Sequence, residues 1–471
     1  MKIVMCASEV VPFAKTGGLA DVVGALPIAL EENAEEVIVI MPYYKAARNA
    51  KIEIQKLKGK IFYAVIGRNI KVYFIENDLY FNRDGLYGDK FGDYKDSLAR
   101  FSYYCKKSLE LLKHINFSPD IIHCHDWQSA LIPVYLKTVY SKDSFYKNTR
   151  SILTIHNLGY QGLFSAEEFP LTGLDKSLFH MDKLEFHGKV NLLKGGIVFS
   201  DYITTVSPTY SKEIQSKELG FGLEGVLAKR AGSLLGILNG IDYSIWGPKT
   251  DKIIAHNYSV LDLQGKQKNK EALQEICGLP KRTDIPLFGM VTRLVDHKGL
   301  DILAPELEAI CKLGLQLVVL GKGDLKFHNL FESAAKKYPK TLSLHLKFDE
   351  ILAHKIYAGS DIFLMPSKYE PCGLGQLISL RYGSVPLVFK TGGLADTVTN
   401  EHGFVFERYK KEDLIKTVKE AVKVFADKDA WRQLVINAME CDFSWEKSAK
   451  EYIRLYKKIA SIDNFSAIFS G

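Results

Sequence analysis

A chain of 471 residues exceeds what one hydrophobic core usually organises and predicts two domains. Hydrophobic residues at 47% and charged residues at 25% are ordinary globular values, which excludes a disordered or fibrous chain. A net charge of +7, from 62 Lys and Arg against 55 Asp and Glu, is too dilute over this length to require nucleic acid, and no apolar run reaches membrane-spanning length.

The chain opens on KIVMCAS at 2–8, a strand-like run too short for a signal-peptide core, so a cytoplasmic protein is expected. Cysteines 6, 105, 124, 277, 311, 372 and 441 show neither CxxC spacing nor an even count, which argues against a disulfide or zinc framework and fits a reducing compartment. Next comes KTGGLADVV, from Lys15 to Val23, repeated almost identically as KTGGLADTV from Lys390 to Val398. A glycine pair opening a helix presents free N–H groups at the positive end of the helix dipole, which suits a phosphate. The alternative is that each Gly-Gly makes a tight strand-to-helix turn.

Apolar, β-branched runs at 36–42, 120–125, 151–157 and 202–207 alternate with helical patterns and read as buried parallel strands. The second of them ends on His125 and Asp126, the third on His156 and Asn157. Asp126 is either a helix cap or, with His156, part of a strand-end site. The sequence GILNGIDYSIWGP marks a boundary near Asn239 to Tyr243. The strand rhythm restarts at 286–294, 315–324, 361–367 and 385–393.

The expected fold is therefore α/β, with two Rossmann-like doubly wound domains, 1–240 and 241–442, facing a central cleft, and a C-terminal helix at 443–471. In the second half Arg293 and Lys298 follow a strand, and two fixed cations there suit a diphosphate. Glu370, in PSKYEPCGLGQ, is placed either to accept hydrogen bonds from sugar hydroxyls or to pair with a helix N-terminus. Cys372 lacks an evident activating base and is read as shaping the backbone. No metal is expected: the DxD at Asp427 to Asp429 lies in a helical, charged stretch, and KKEDLIKTVKEAVK reads as a solvated helix face.

These residues together closely resemble the bacterial glycogen synthases and plant starch synthases, retaining glucosyltransferases of the GT-B architecture. The resemblance spans almost the whole chain, through KTGGLADVVGALP, DWQSALIPVYL, HNLGYQGLF, LLKGGIVFSDYITTVSPTYSKEI, GFGLEGVL, GILNGID, TRLVDHKGLD and MPSKYEPCGLGQLISLRYGSVPLVFKTGGLADTV. It implies glucose transfer from ADP-glucose to the non-reducing end of glycogen or another α-1,4-glucan, with no cofactor, metal, nucleic acid or membrane partner. By the same resemblance Lys15 and Gly18 bind the donor phosphates from the first domain, Arg293 and Lys298 from the second, and Asn239 faces the donor. The catalytic neighbourhood it implies comprises Asp21, Asp126, His156, Arg293, Lys298 and Glu370. Cys372, Gly373, Leu374, Thr391 and Gly392 contribute donor contacts, and the C-terminal helix crosses back onto the first domain.

The chain departs from the family at three places: Ile378 replaces a second Glu of many related transferases, Phe348 a frequent Tyr, and Tyr94, Lys95, Asp96 and Ser97 the usual tyrosine-aspartate-asparagine run. Phe348 keeps adenine stacking without a hydroxyl contact. Two other readings compete. A Rossmann oxidoreductase lacks its GxGxxG and ribose-binding acid here, and a non-catalytic glucan-binding scaffold is at odds with intact Lys15, Arg293, Lys298 and Glu370.

Overall fold

The computed structural model describes residues 1–57 and 61–461. The chain forms two compact units, Met1–Asn239 with the chain from Trp445 onward, and Gly240–Ser444.

In the first unit the strands are β1 (Lys2–Cys6), β2 (Glu36–Pro42), β3 (Gln55–Leu57), β4 (Ile61–Ile66), β5 (Ile70–Ile75), β6 (Ile121–His125), β7 (Arg150–Ile155), β8 (Tyr202–Thr205) and β9 (Leu234–Gly236). Among the described residues they form one sheet in the order β9-β8-β7-β6-β1-β2-β5-β4-β3. All neighbours from β9 to β5 run parallel, and β4 pairs antiparallel with both β5 and β3. The parallel strands are apolar on both faces because helices cover both, and Ile3, Val4 and Met5 are fully buried. β1 lies between β2 and β6, with Cys6 opposite both Ile40 and Cys124. Connections diverge there, so the loops after β1 and β6 flank the crevice where open α/β sheets bind ligands. The loop after β1 feeds α1 (Gly18–Glu32).

The second unit carries β10 (Leu287–Val291), β11 (Gln316–Leu320), β12 (Leu342–His345), β13 (Ile362–Met365), β14 (Val385–Phe389) and β15 (Phe404–Phe406). Its all-parallel order β12-β11-β10-β13-β14-β15 is the 3-2-1-4-5-6 order of dinucleotide-binding folds. The switch point falls between β10 and β13, where Phe288 lies opposite Ile362. Short helices α2 (Gly375–Arg381) and α3 (Gly392–Thr397) follow β13 and β14. Asp427 caps the helix Lys428–Glu440 through the amide of Ala430, so the DxD straddles a helix start.

The last helix, α4 (Trp445–Ala460), buries Trp445, Ala449, Tyr452, Tyr456 and Ile459 at helical spacing; it packs against α1, and Tyr452 and Tyr456 meet His123 of β6. Its opposite face is charged, with Lys450 bonded to Glu446 at 2.6 Å.

The sequence reading passed over the β4–β5 hairpin, whose runs IFYAVI and IKVYFI flank Gly67 at φ +58°. It also passed over β3, β9, β12 and β15, which are short or half-exposed and lack a long apolar run.

Candidate functional site

In the first unit the loop after β1 is tied down by Glu9. Its buried carboxylate accepts from Thr16 Oγ1 at 2.7 Å, Gly17 N at 3.2 Å, Tyr87 Oη at 2.6 Å and the amide of Thr16. Those donors offset the desolvation of a buried charge and fix the approach to Gly18, the first residue of α1. Lys15 Nζ reaches forward to Asp21 at 2.7 Å, and both side chains remain partly exposed.

β6 ends at His125, and Asp126 follows with φ at +55°. Its carboxylate accepts the amide of His156 at 2.7 Å and also that of Asn157, joining the end of β6 to the end of β7. Ser129 Oγ takes the amide of His125 instead, so Asp126 is a strand-end cross-link and not a helix cap. Burial raises the Asp126 pKa to about 7, although the two amides favour the charged form.

Behind Asp126 stand three imidazoles, those of His123 and His125 fully buried and that of His156 partly buried. His125 Nδ1 meets His156 Nε2 at 2.9 Å, the rings of His123 and His125 stack at 4.2 Å, and His123 Nδ1 bonds Tyr456 Oη of α4 at 2.8 Å. Burial drives the pKa of His123 and of His156 down to about 3 and that of His125 well below its ordinary value. Asn239, at the end of the unit, is buried with its Oδ1 unpartnered among the described residues.

In the second unit three strand-end loops interlock at the switch point. After β10, Lys298 Nζ bonds Glu370 Oε2 at 2.6 Å, and Ser367 Oγ donates to the same oxygen at 3.1 Å. The pair is nearly buried, with side chains 16% and 10% exposed. Arg293 is exposed and has no ion pair or side-chain hydrogen bond among the described residues. The resulting field is felt by His297, whose pKa is lowered by burial first and then by Lys298 and Arg293.

Glycines allow the loops to touch. A Cβ on Gly299 would lie 2.0 Å from Pro366 O, one on Gly392 2.1 Å from Glu370 O, and one on Gly393 2.1 Å from Cys372 O. Gln376 Nε2 donates to Cys372 O and Gly373 O at 2.9 and 3.0 Å. Cys372, Gly373, Leu374, Thr391 and Gly392 are thus gathered around Glu370. Phe348 stands in the loop after β12 and is 88% exposed.

The two near-identical glycine segments therefore do different work. Gly17 is extended with open space around it and precedes the fifteen-residue α1, whereas Gly392 has φ +43° and packs on the Glu370 backbone. Lys15 turns to Asp21 on its own helix, while Lys390 pairs with Glu407 at 2.8 Å. Glu9, Tyr87, Ser367 and Gly299 were missed as supporting residues. Glu9 alone left a sequence signal, a carboxylate three residues past an apolar strand.

Comparison with known proteins finds relatives over almost the whole chain. A family model described as the starch synthase catalytic domain matches residues 2–229, and one described as glycosyl transferases group 1 matches residues 274–433. The glycogen synthase of Geotalea uraniireducens is 48% identical over 477 residues, covering 97% of this chain and 98% of its own. Among solved structures, the catalytic domain of starch synthase IV from Arabidopsis thaliana bound to ADP and acarbose superposes with a TM-score of 0.90 at 35% identity, covering 98% of this chain and 99% of that one. Sucrose-phosphate synthase from Thermosynechococcus elongatus shares the fold, with a TM-score of 0.63 at 17% identity over 97% of this chain and 98% of its own.

Two predictions arise from this geometry. Gly392→Ala forces a side chain into both a left-handed backbone and a 2.1 Å contact, and is expected to cost about 2 kcal/mol or more. Gly17→Ala, with nothing within 4 Å, should stay within roughly 1 kcal/mol. Denaturant unfolding of both variants checks the contrast, and equal costs would contradict it.

The second concerns pH. His123 and His156, lowered to about 3 from 6.5, and His125, lowered in the same direction, take up protons on unfolding, so they make stability rise as pH increases up to about 6.5. Asp126, raised from 3.8 to about 7, opposes them: its contribution is full below 3.8 and is lost as pH rises through 7. Asp126→Asn removes the opposing effect, so its denaturation midpoint should climb more steeply than wild type between about pH 4 and 6.5. Parallel profiles would contradict the buried state of Asp126.

Proposed function

The chain belongs to the glycogen and starch synthase family of GT-B glycosyltransferases, and from that membership we propose that it transfers glucose, with retention, from ADP-glucose to the non-reducing end of an α-1,4-glucan, releasing ADP. The observation that carries this reading is the Lys298–Glu370 pair, with Arg293 unpaired among the described residues, at the switch point of the second sheet. Cleaving the glucosyl–phosphate bond places negative charge on the departing diphosphate, and preorganised cations stabilise that charge as it develops. The solved relative binds ADP, the leaving group this chemistry requires.

In this reading Arg293 and Lys298 of the second unit are assigned to the diphosphate; Lys15, which pairs with Asp21, and Gly18 of the first unit are assigned to donor phosphates by the family resemblance. Glu370, already engaged by Lys298 and Ser367, keeps acceptor capacity for a sugar hydroxyl and is not free to act as a nucleophile. No nucleophile and partner acid are evident as in a retaining glycosidase. Front-face transfer fits instead: the C1–O bond to phosphate breaks, the acceptor oxygen bonds C1 from the same face, and its proton passes to the departing phosphate oxygen. Orientation supplies much of the rate.

Asn239, with its unpartnered Oδ1, and the backbone from Cys372 to Leu374 and at Thr391 and Gly392 are assigned to the donor, and Phe348 offers its open face to adenine. Asp126 holds the His156 loop beside the glucosyl group. Glycogen or a related α-glucan is the acceptor. A cytoplasmic location accompanies this reading, supported by seven free cysteines, and no helix among the described residues is long and apolar enough to cross a membrane.

Replacing Arg293 or Lys298 by Ala is expected to lower kcat on the order of a hundredfold or more. Stability should separate the two, since Arg293→Ala breaks no ion pair whereas Lys298→Ala strands a nearly buried carboxylate. Near-normal turnover in both would remove the leaving-group assignment.

Donor choice is tested by kcat/KM for ADP-glucose and UDP-glucose with glycogen as acceptor, where ADP-glucose should be preferred. Stacking on Phe348 accounts for only about a kcal/mol, less than tenfold, so backbone contacts to the adenine edge must supply the remainder. A preference for UDP-glucose would overturn the donor assignment and leave the transferase reading in place.

A further inference from the structure

We propose that His125 is a positioning residue that fixes the ring tautomer of His156, keeping the His156 proton on Nδ1 so that this nitrogen donates a hydrogen bond to an oxygen of the glucosyl group. The tautomer assignment stands on the hydrogen-bond geometry of two neutral rings, and its use toward the sugar rests on the proposed function.

His125 Nδ1 and His156 Nε2 are 2.9 Å apart, so one of the two nitrogens carries the shared proton. Burial keeps both rings neutral, which leaves two arrangements. If His156 donated from Nε2, the single proton of His125 would sit on its own Nε2. That atom is buried and has no partner among the described residues, so the arrangement strands an N–H donor, a defect rarely seen in native structures. If His125 donates from Nδ1, its Nε2 is a bare lone pair and the His156 proton moves to Nδ1. His156 is only partly buried, and its Nδ1 has no partner among the described residues. A donor there is open to water or ligand. Only the second arrangement avoids an orphaned N–H.

The His125 ring is in turn fixed. It stacks on His123 at 4.2 Å, and His123 is held by Tyr456 Oη at 2.8 Å and by Thr154 Oγ1. Thr154 Oγ1 continues to Thr204 Oγ1, tying the stack to two strands and to α4. The amide of His156 is separately held by Asp126 at 2.7 Å. Ring and backbone of His156 thus have independent supports, and His125 is the only one among the described residues that touches the ring through a hydrogen bond.

The consequence is chemical. A neutral imidazole with its proton on Nδ1 cannot take a proton at that atom, so His156 orients a sugar oxygen and does not act as the base for the acceptor hydroxyl.

Nitrogen-15 NMR of histidine-labelled wild-type protein reads the tautomer without any activity, and His156 should appear protonated at Nδ1 and bare at Nε2. Protonation at Nε2 overturns the proposal. His125→Phe keeps a stacked ring and removes the donor, and should lower kcat ten- to a hundredfold while KM for ADP-glucose changes less than about threefold. His125→Asn restores a donor near the Nδ1 position and should recover most of that loss. Equal loss in both variants would reduce His125 to a packing residue and also overturn the proposal. If the Nδ1 tautomer is present and no nucleotide-glucose is turned over, the proposed function fails and the tautomer assignment stands.

Discussion

A carboxylate taken out of water is unfavourable unless donors saturate it, and the strand-end loops of both units are organised around that constraint. Glu9 collects the backbone and side chain of Thr16, the amide of Gly17 and the hydroxyl of Tyr87. Asp126 collects the amides of His156 and Asn157. Glu370 collects Lys298 and Ser367. Each carboxylate lies past a parallel strand and draws at least one donor from a different segment: Tyr87 for Glu9, the amides after β7 for Asp126 and Lys298 for Glu370. The penalty for burial therefore becomes a device for placing loops, because a loop that moved away would leave a buried carboxyl group without its donors. Sites built this way are stiff before a ligand arrives, the condition under which fixed charges accelerate a reaction.

The nearly identical KTGGLAD segments show how far such context overrides local sequence. In the first, Gly17 is unencumbered and Glu9 holds the loop, so α1 starts at Gly18 and runs on. In the second, the preceding loop presses the carbonyls of Glu370 and Cys372 against the glycines, and α3 ends after six residues. Glycine is required at 392 for close approach and a positive φ. At 17 its lack of a side chain leaves the helix N-terminus uncovered. One string of residues thus meets two distinct steric demands.

The buried parallel strands were legible as apolar runs, because a strand covered on both faces has no polar side to interrupt it. The β4–β5 hairpin and the edge strands β12 and β15 escaped notice because partial exposure or brevity breaks that run. Strand ends were legible too, since His125, Asp126, His156, Arg293, Lys298 and Glu370 interrupt apolar stretches abruptly. Their partnerships were not. Lys298 and Glu370 are 72 residues apart, Glu9 and Tyr87 are 78 apart, and only the strand order brings them together. The same limit hid the histidine stack, in which His123 reaches Tyr456 across 333 positions.

The charge character of the two strand-end clusters differs in a way that suits the proposed chemistry. Glucosyl transfer through an oxocarbenium-like state develops positive charge on the sugar while negative charge gathers on the diphosphate. The second unit supplies fixed cations, Arg293 and Lys298, with Glu370 only partly neutralising them. The first unit supplies His156, a group that ordinarily becomes cationic below pH 6.5 but is held neutral down to about 3 by its burial. A charged imidazolium beside the sugar would oppose the developing charge, whereas a neutral one hydrogen-bonds without that opposition. The burial of His123, His125 and His156 together therefore does more than fill the core. It keeps the strand-end cluster of the first unit free of imidazolium charge, while Arg293 and Lys298 keep the cluster of the second unit cationic.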